Sequence, residues 1–300
     1  MSGLETILRW SPFQLASSWV NRSRPVVLAF HGVDDPEVFE TLMDRVKRQY
    51  HPISVDELDG AVNGGKKLPD RSVLITFDDG HRSVVEHGLP ILVERGLPAV
   101  TFVAAGLLST SKAFWWTATA DLLAAGGRLT GYESLSESEL IRHLKQVPNE
   151  YRIRAMMELE QSAGRPPAPQ AQLKTEELGK LRSGGVAIGN HTWSHPCLNR
   201  CDPDTISDEI ERAHTLLWAA LGEPPIWFAY PNGDWDEKAE AILADLGYRL
   251  GFLFDHRLAD VDSHRLRVSR LRVNSDATPD RFAIILSGLH SAILHTRRRS

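Results

Sequence analysis

Short, uninterrupted apolar runs alternate with amphipathic stretches along most of this chain. Val26-Val27-Leu28-Ala29-Phe30 shows no polar alternation, which is what a strand buried on both faces of a parallel sheet requires. The same reading applies to residues 73–77, 99–103, 186–189, 226–230, 250–254 and, less regularly, 266–273. Between them the apolar positions recur with helical spacing, predicting helices over 36–49, 83–95, 175–183, 204–221 and 237–246, with Gly96 and Gly247 as C-terminal punctuation. Seven strands with intervening helices predict an α/β protein, either a barrel or a strongly curled parallel sheet. In such folds reactive side chains gather at the C-terminal ends of the strands.

The rhythm breaks between residues 107 and 171, where a helical pattern gives way to Arg165-Pro166-Pro167-Ala168-Pro169. No second core is evident there, so the stretch is expected to be an insertion over one rim. The expected organisation is an N-terminal helical extension over 1–24, a barrel over 25–275 and a C-terminal helix with a basic tail over 276–300. Leu4, Ile7, Leu8, Trp10, Phe13, Trp19 and Val20 form an apolar helical stripe. It is expected to pack against the domain or a partner, with peripheral contact to a membrane surface as the alternative.

Composition narrows the picture. Three hundred residues with 42% hydrophobic content can bury a large core. Thirty-four basic against 39 acidic residues leave a formal charge of −5, which argues against a nucleic-acid binder. Arg297-Arg298-Arg299 is most simply a solvated tail. Two cysteines, Cys197 and Cys201, exclude a disulfide scaffold and fit a reducing compartment. Glu5, Arg9 and Gln14 interrupt the first twenty residues, which do not read as a signal peptide, and Val26–Phe30 is too short to cross a bilayer. The expectation is a soluble cytoplasmic protein.

Three strand ends carry candidate chemistry. After residues 73–77 come Asp78-Asp79-Gly80; neighbours on extended chain point oppositely, so one carboxylate could grip a metal while the other faces water or substrate. A polar turn is the alternative. After 186–189 comes Asn190-His191-Thr192-Trp193-Ser194-His195-Pro196, whose two histidines four apart can ligate one cation. Two imidazoles and a strand-end carboxylate leave positions open for water and substrate, as catalytic sites do. A structural zinc knot through Cys197 and Cys201 is disfavoured by Pro196. The third feature, Trp227-Phe228-Ala229-Tyr230-Pro231-Asn232-Gly233-Asp234-Trp235, is either a plain strand-turn or a turn that offers backbone N–H groups to a developing oxyanion.

Thr76–Gly80 (TFDDG), His191–Pro196 (HTWSHP) and Phe228–Gly233 (FAYPNG), in this order, resemble the first three motifs of the polysaccharide deacetylase family, the NodB-homology or family 4 carbohydrate esterases. The resemblance covers residues 25 to 255, with 107–171 less characteristic. It implies a distorted (β/α)7 barrel hydrolysing the acetamido group of an N-acetylated sugar with a divalent cation, usually zinc. It implies further that Asp79, His191 and His195 hold the metal, that Asp78 is the general base, and that the Tyr230 backbone N–H stabilises the tetrahedral intermediate. For the general acid, the family's Leu-x-His motif has only Leu289-His290 as a counterpart; His31, at the end of Val26–Phe30, is the preferred candidate. Phe228 stands where the third motif supplies an arginine that orients the base, and Arg270 is expected to replace it. Trp115 and Trp116 are candidates for a sugar-stacking wall or for the core. Hydrolysis of another C–N bond, in a cyclic amide or ureide, and a catalytically dead carbohydrate-binding barrel are the rival readings.

Overall fold

A computed structural model of the chain describes residues 2–274 and 276–297. Its centre is a parallel sheet of β1 (Val26–Phe30), β2 (His51–Pro52), β3 (Ser72–Phe77), β4 (Ala99–Val103), β5 (Val186–Asn190), β6 (Trp227–Ala229), β7 (Leu250–Phe252) and β8 (Leu271–Arg272). The order is β7-β6-β5-β4-β3-β1-β8, with β2 pairing the start of β3. The ends of this sheet meet through one segment: Val268 bridges Phe252 of β7, and Leu271 and Arg272 pair with Leu28 and Ala29 of β1. The result is the distorted barrel expected, with one change. The last strand, read as 266–273, is broken around Ser269 and Arg270, because Arg270 turns a fully buried side chain into the barrel.

The absence of alternation in the strands has a direct cause. Val26, Leu28, Phe30, Val73, Ile75, Phe77, Val186 and Ile188 face outward into one apolar cluster with the helices, through residues such as Phe39, Leu42, Leu178 and Phe282. Val27, Leu74, Val100, Phe102, Trp227, Ala229, Leu250, Phe252 and Val268 fill a second cluster inside the barrel. Period two therefore survives, with apolar residues on both faces.

The helices Pro36–Gln49 and Thr175–Ser183 stand at the expected bounds. The expected helix over 83–95 opens instead with a π-helical turn, Val84–Gly88, before Leu89–Arg95. Pro90 has no N–H to donate, and the ladder widens so that the Leu89 N–H reaches the Val84 carbonyl. The short helix Val55–Val62, with its Ser54–Glu57 capping box, and β2 have no counterpart in the sequence reading.

Residues 107–171 contribute the helices Trp115–Ala124, Glu137–Leu144 and Asn149–Ala163. Contrary to expectation they carry a small core of their own, Leu122, Leu129, Leu140, Leu144, Ala155 and Leu159. These positions are too widely spaced among polar residues to read as a core from the sequence. At the N-terminus, Ser2–Arg9 and Pro12–Val20 are separate helices, the second capped by Ser11. Their packing also departs from the expected one, since polar side chains of both helices meet Pro279–Leu286 and Ser287. Arg298 and Arg299 of the basic tail lie outside the described residues. Among the described residues no helix is long and apolar enough to cross a membrane.

Candidate active site

The C-terminal strand ends open into a cavity of about 600 Å³. Strand parity dictates what faces it. Continuing the inward positions Leu74 and Thr76 of β3 leads to Asp78, and continuing Ala187 and Gly189 of β5 leads to His191. The chain then turns sharply: Asp79 has φ 72°, Thr192 φ 70° and His195 φ 59°, all left-handed. These turns bring Asp79 back beside the histidines. His191 Nε2 lies 3.4 Å and His195 Nε2 3.3 Å from Asp79 Oδ1.

One ligand atom from each of Asp79, His191 and His195 lies within 4.8 Å of the others, and all three residues are buried. Asp79 Oδ1 is buried without a hydrogen-bond partner, an arrangement costly for a carboxylate unless a cation completes it. His191 Nδ1 donates to the Ala229 carbonyl at 2.7 Å, which leaves the Nε2 lone pair toward Asp79. Despite its burial, Asp79 is held well below the usual carboxylate range by His191 and His195. Burial pushes His195 down to about 3, so its imidazole is neutral and able to ligate. Burial opposes charge on His191 too, but Asp79 and Asp78 outweigh it and raise its pKa, so a cation would displace that proton on binding. Two imidazoles and a carboxylate fit a divalent cation such as zinc.

Asp78 faces the same cavity with a different partner. Arg270 Nη1 and Nη2 donate to its two oxygens at 2.7 and 2.8 Å. Arg270 is itself fixed by Nε to the Leu253 carbonyl at 2.7 Å and Nη1 to Thr76 Oγ1 at 3.0 Å, and lies against Phe102, Phe252 and Phe254. Burial alone would raise the Asp78 pKa; the charge of Arg270, aided by His191, outweighs it and leaves the carboxyl below its ordinary value. The arginine expected to stand in for the missing one of the third motif is thus in contact with Asp78.

One expectation fails. Tyr230 N–H donates to the Phe252 carbonyl at 3.0 Å, so it belongs to the β6–β7 ladder. Strand parity also turns its side chain outward, into a cluster with Phe228 and Tyr248. The turn that follows does reach the cavity, through Asn232. Pro231 stands second and the left-handed Asn232, φ 58°, third in a turn closed by Gly233 N–H on the Tyr230 carbonyl at 2.8 Å, the pattern of a type II turn. Among the described backbone hydrogen bonds none engages the Asn232 N–H. Gly233 is required because a Cβ there would lie 2.3 Å from the backbone nitrogen of Phe254. His290, the candidate set behind His31, sits on the helix Leu289–Arg297 beside Arg281 and Glu5 and does not line the cavity.

His31 lines the cavity, its ring set edge-on against Phe254 at 5.6 Å. A second imidazole, His81, also lines it, with Nδ1 fixed 2.7 Å from Ser83 Oγ. The tryptophan pair divides. Trp116 stacks on Phe114 at 4.6 Å, forming the insertion's wall of the cavity, and meets the His195 ring edgewise. Trp115 instead donates Nε1 to the His195 carbonyl at 3.3 Å and lies under Arg152. Cys197 and Cys201 are free thiols, and Cys197 accepts from Asn232 Nδ2 at 3.3 Å.

Sequence reasoning missed Glu209. From the helix Pro203–Leu221 its buried carboxylate accepts the N–H of Trp193 at 3.0 Å and of Ser194 at 2.7 Å, and the Ser194 hydroxyl at 2.5 Å, tying down the loop that carries both histidines. A glutamate on the apolar face of a helix was the available signal. Asn190 adds a second tie, its Oδ1 accepting the Thr192 N–H and its Nδ2 donating to Tyr248 Oη, both at 2.7 Å.

A parallel α/β barrel with an open set of buried donors at its C-terminal rim has the layout of a barrel enzyme. A model of the polysaccharide deacetylase family matches residues 65–251. The chain belongs to that family, and membership makes it a hydrolase of non-peptide carbon–nitrogen bonds. It is 19% identical over 284 residues to the Bacillus subtilis protein YxkH, covering 91% of this chain and 81% of that one. It is 32% identical over 87 residues to the poly-β-1,6-N-acetyl-D-glucosamine N-deacetylase of Escherichia coli K12, a match spanning 25% of this chain but only 13% of that protein. Among solved structures, IcaB from Ammonifex degensii superposes with a TM-score of 0.61 at 21% identity, over 89% of this chain and 97% of that one. The Streptococcus pyogenes deacetylase PplD gives 0.60 at 19%, over 88% and 97%.

Proposed function

We propose that this chain is a metal-dependent deacetylase that hydrolyses the acetamido group of an N-acetylated sugar in a polysaccharide, an oligosaccharide or a glycan precursor. The observation that carries this reading is the convergence of Asp79, His191 and His195 on one point, beside Asp78 and open to the cavity. The relatives whose names specify N-acetylglucosamine polymers or chitin support the substrate class.

Asp79, His191 and His195 would hold the cation. When bound there, a divalent cation polarises an amide carbonyl and lowers the pKa of water. Asp78, kept ionised by Arg270, takes the proton from the attacking water. The Asn232 N–H donates to the oxygen that becomes negative as the carbonyl turns tetrahedral. His31 delivers the proton without which the amide nitrogen cannot leave as an amine. Phe114 and Trp116 offer an apolar wall to one face of the sugar ring.

The test is acetate release from N-acetylated chito-oligosaccharides by protein stripped with a chelator and then resupplied with zinc. Release that depends on the metal and is lost in Asp78→Asn supports the reading. Turnover unaffected by stripping, or confined to cyclic amides in the same panel, refutes it.

A further inference from the structure

The two N-terminal helices are packed with their polarity reversed. Facing the domain, Gln14 Nε2 donates to the Ala283 carbonyl and Gln14 Oε1 accepts from Ser287 Oγ, each at 2.9 Å. Ser17 Oγ and Asn21 Nδ2 donate to the Ser287 carbonyl at 2.8 and 3.0 Å, and Thr6 and Arg9 hold Asp280. Facing away, Ile7, Trp10, Phe13, Leu15, Trp19 and Val20 are each between 64% and 75% exposed. A helix that serves only to cover a domain does the opposite. Spending the polar side chains inward and leaving six large apolar ones outward marks a docking face.

Charge and ring chemistry indicate the occupant. The helix Pro12–Val20 packs on Pro279–Leu286, and by sequence the segments 1–24 and 276–300 to which they belong contain seven basic and three acidic residues in a chain whose remainder is acidic. A second copy meeting this face through the same surface would bring like charges together, whereas an anionic bilayer complements them. The Arg9 guanidinium lies 5.0 Å from the Trp10 ring and that of Arg22 lies 4.6 Å from the Trp19 ring. Tryptophan with an adjacent arginine suits the boundary between acyl chains and phosphates.

We propose that this face docks the protein on an anionic lipid bilayer, the two helices lying in the plane of the interface. One end of the face reaches the catalytic rim. Thr278 Oγ1 donates to Glu5 Oε2 at 3.1 Å, two residues beyond Asp276 of the cavity wall. The other end lies at the strand starts, where the Arg71 N–H donates to the Arg22 carbonyl, so the face runs along the barrel wall. The docking itself is independent of the chemistry proposed above.

The experiment is co-sedimentation of the full chain with vesicles of phosphatidylglycerol and phosphatidylcholine in equal parts, beside pure phosphatidylcholine. The wild type is expected to sediment with the anionic vesicles, with a blue shift of tryptophan emission, and at least about tenfold more weakly with neutral vesicles or in molar salt. W10S/W19S is expected to remain in the supernatant with an unchanged circular-dichroism melt, because both rings are mostly exposed; F13S serves should the double variant lose helical signal. The proposal is overturned if the wild type ignores both vesicles, if it binds neutral ones equally, or if these variants bind as the wild type does. Self-association of the wild type that W10S/W19S abolishes, without vesicle binding, assigns the face to a second copy and likewise overturns it.

Discussion

Arg270→Met tests whether the arginine supplied by the barrel's closing segment keeps Asp78 ionised. The variant retains much of the side chain's length and volume but removes the charge that meets Asp78 through bonds of 2.7 and 2.8 Å. With charge centres roughly 4 Å apart and an effective dielectric of about 20, that pair is worth about 4 kcal/mol. Losing it raises the Asp78 pKa, and unopposed burial raises it further. The base would then take up its proton at higher pH than in the wild type. At pH values below both acid limbs, kcat/KM is expected to fall by up to about three orders of magnitude, as about 4 kcal/mol at about 1.36 kcal/mol per decade gives, and to recover as pH rises, so the acid limb of the profile shifts alkaline. Stability carries the opposite sign in the two proteins. In the wild type the depressed Asp78 pKa contributes stability above about pH 4, the unfolded value, and that stability is lost as pH falls through the folded one. In Arg270→Met the folded pKa lies above the unfolded one, so stability falls as pH rises from about 4 toward neutrality. Metal analysis on the same samples separates this from loss of ligands. An acid limb that stays in place while activity drops uniformly would refute the reasoning, because the arginine would then be structural only.

Asp79→Ala is expected to lose bound metal on dialysis, whereas Asp78→Asn keeps it and loses kcat by about 10²–10⁴, as elemental analysis and acetate assays will distinguish. Glu209→Gln replaces a carboxylate that accepts three hydrogen bonds with an amide that can accept at only one of its two atoms. Its metal affinity should fall about 10–100-fold in a competition titration against a chromophoric chelator. His31→Gln should lower kcat by about 10²–10³, while His81→Gln should lower it by less than about tenfold, as acetate assays will show; the reverse pattern would move the acid to His81.

The sequence disclosed most of the scaffold because buried strands and packed helices leave periodic marks. It disclosed the donor set because a metal needs particular side chains at particular strand ends. What it concealed depends on distances across the chain. Glu209 sits sixteen residues beyond Trp193 and reads as an ordinary helix position until the fold sets it under the histidine loop. The oxyanion donor proposed here lies two residues beyond the one the resemblance implies, because a motif shows which turn matters but not which amide the β6–β7 ladder has already consumed. Tyr230 is consumed; among the described backbone hydrogen bonds none engages Asn232, beyond the Pro231 break. The insertion's core escaped for a related reason, since its apolar residues are few and distant along the chain.

Backbone strain ties these corrections together. Asp79, Thr192, His195 and Asn232 all have φ between 58° and 72°. None is glycine, and Thr192 is β-branched, so each carries roughly 1–3 kcal/mol of strain unless a local bond offsets it. The offsets are visible. Asn190 Oδ1 accepts the Thr192 N–H, Thr192 Oγ1 accepts the His195 N–H at 3.0 Å, Glu209 holds the intervening amides, and Cys197 holds the Asn232 side chain. Each strained residue sits where an extended strand would otherwise carry its functional group past the cavity. Removing any one tie should therefore move a donor before it unfolds the barrel, and the cost should appear in metal affinity sooner than in the melting temperature.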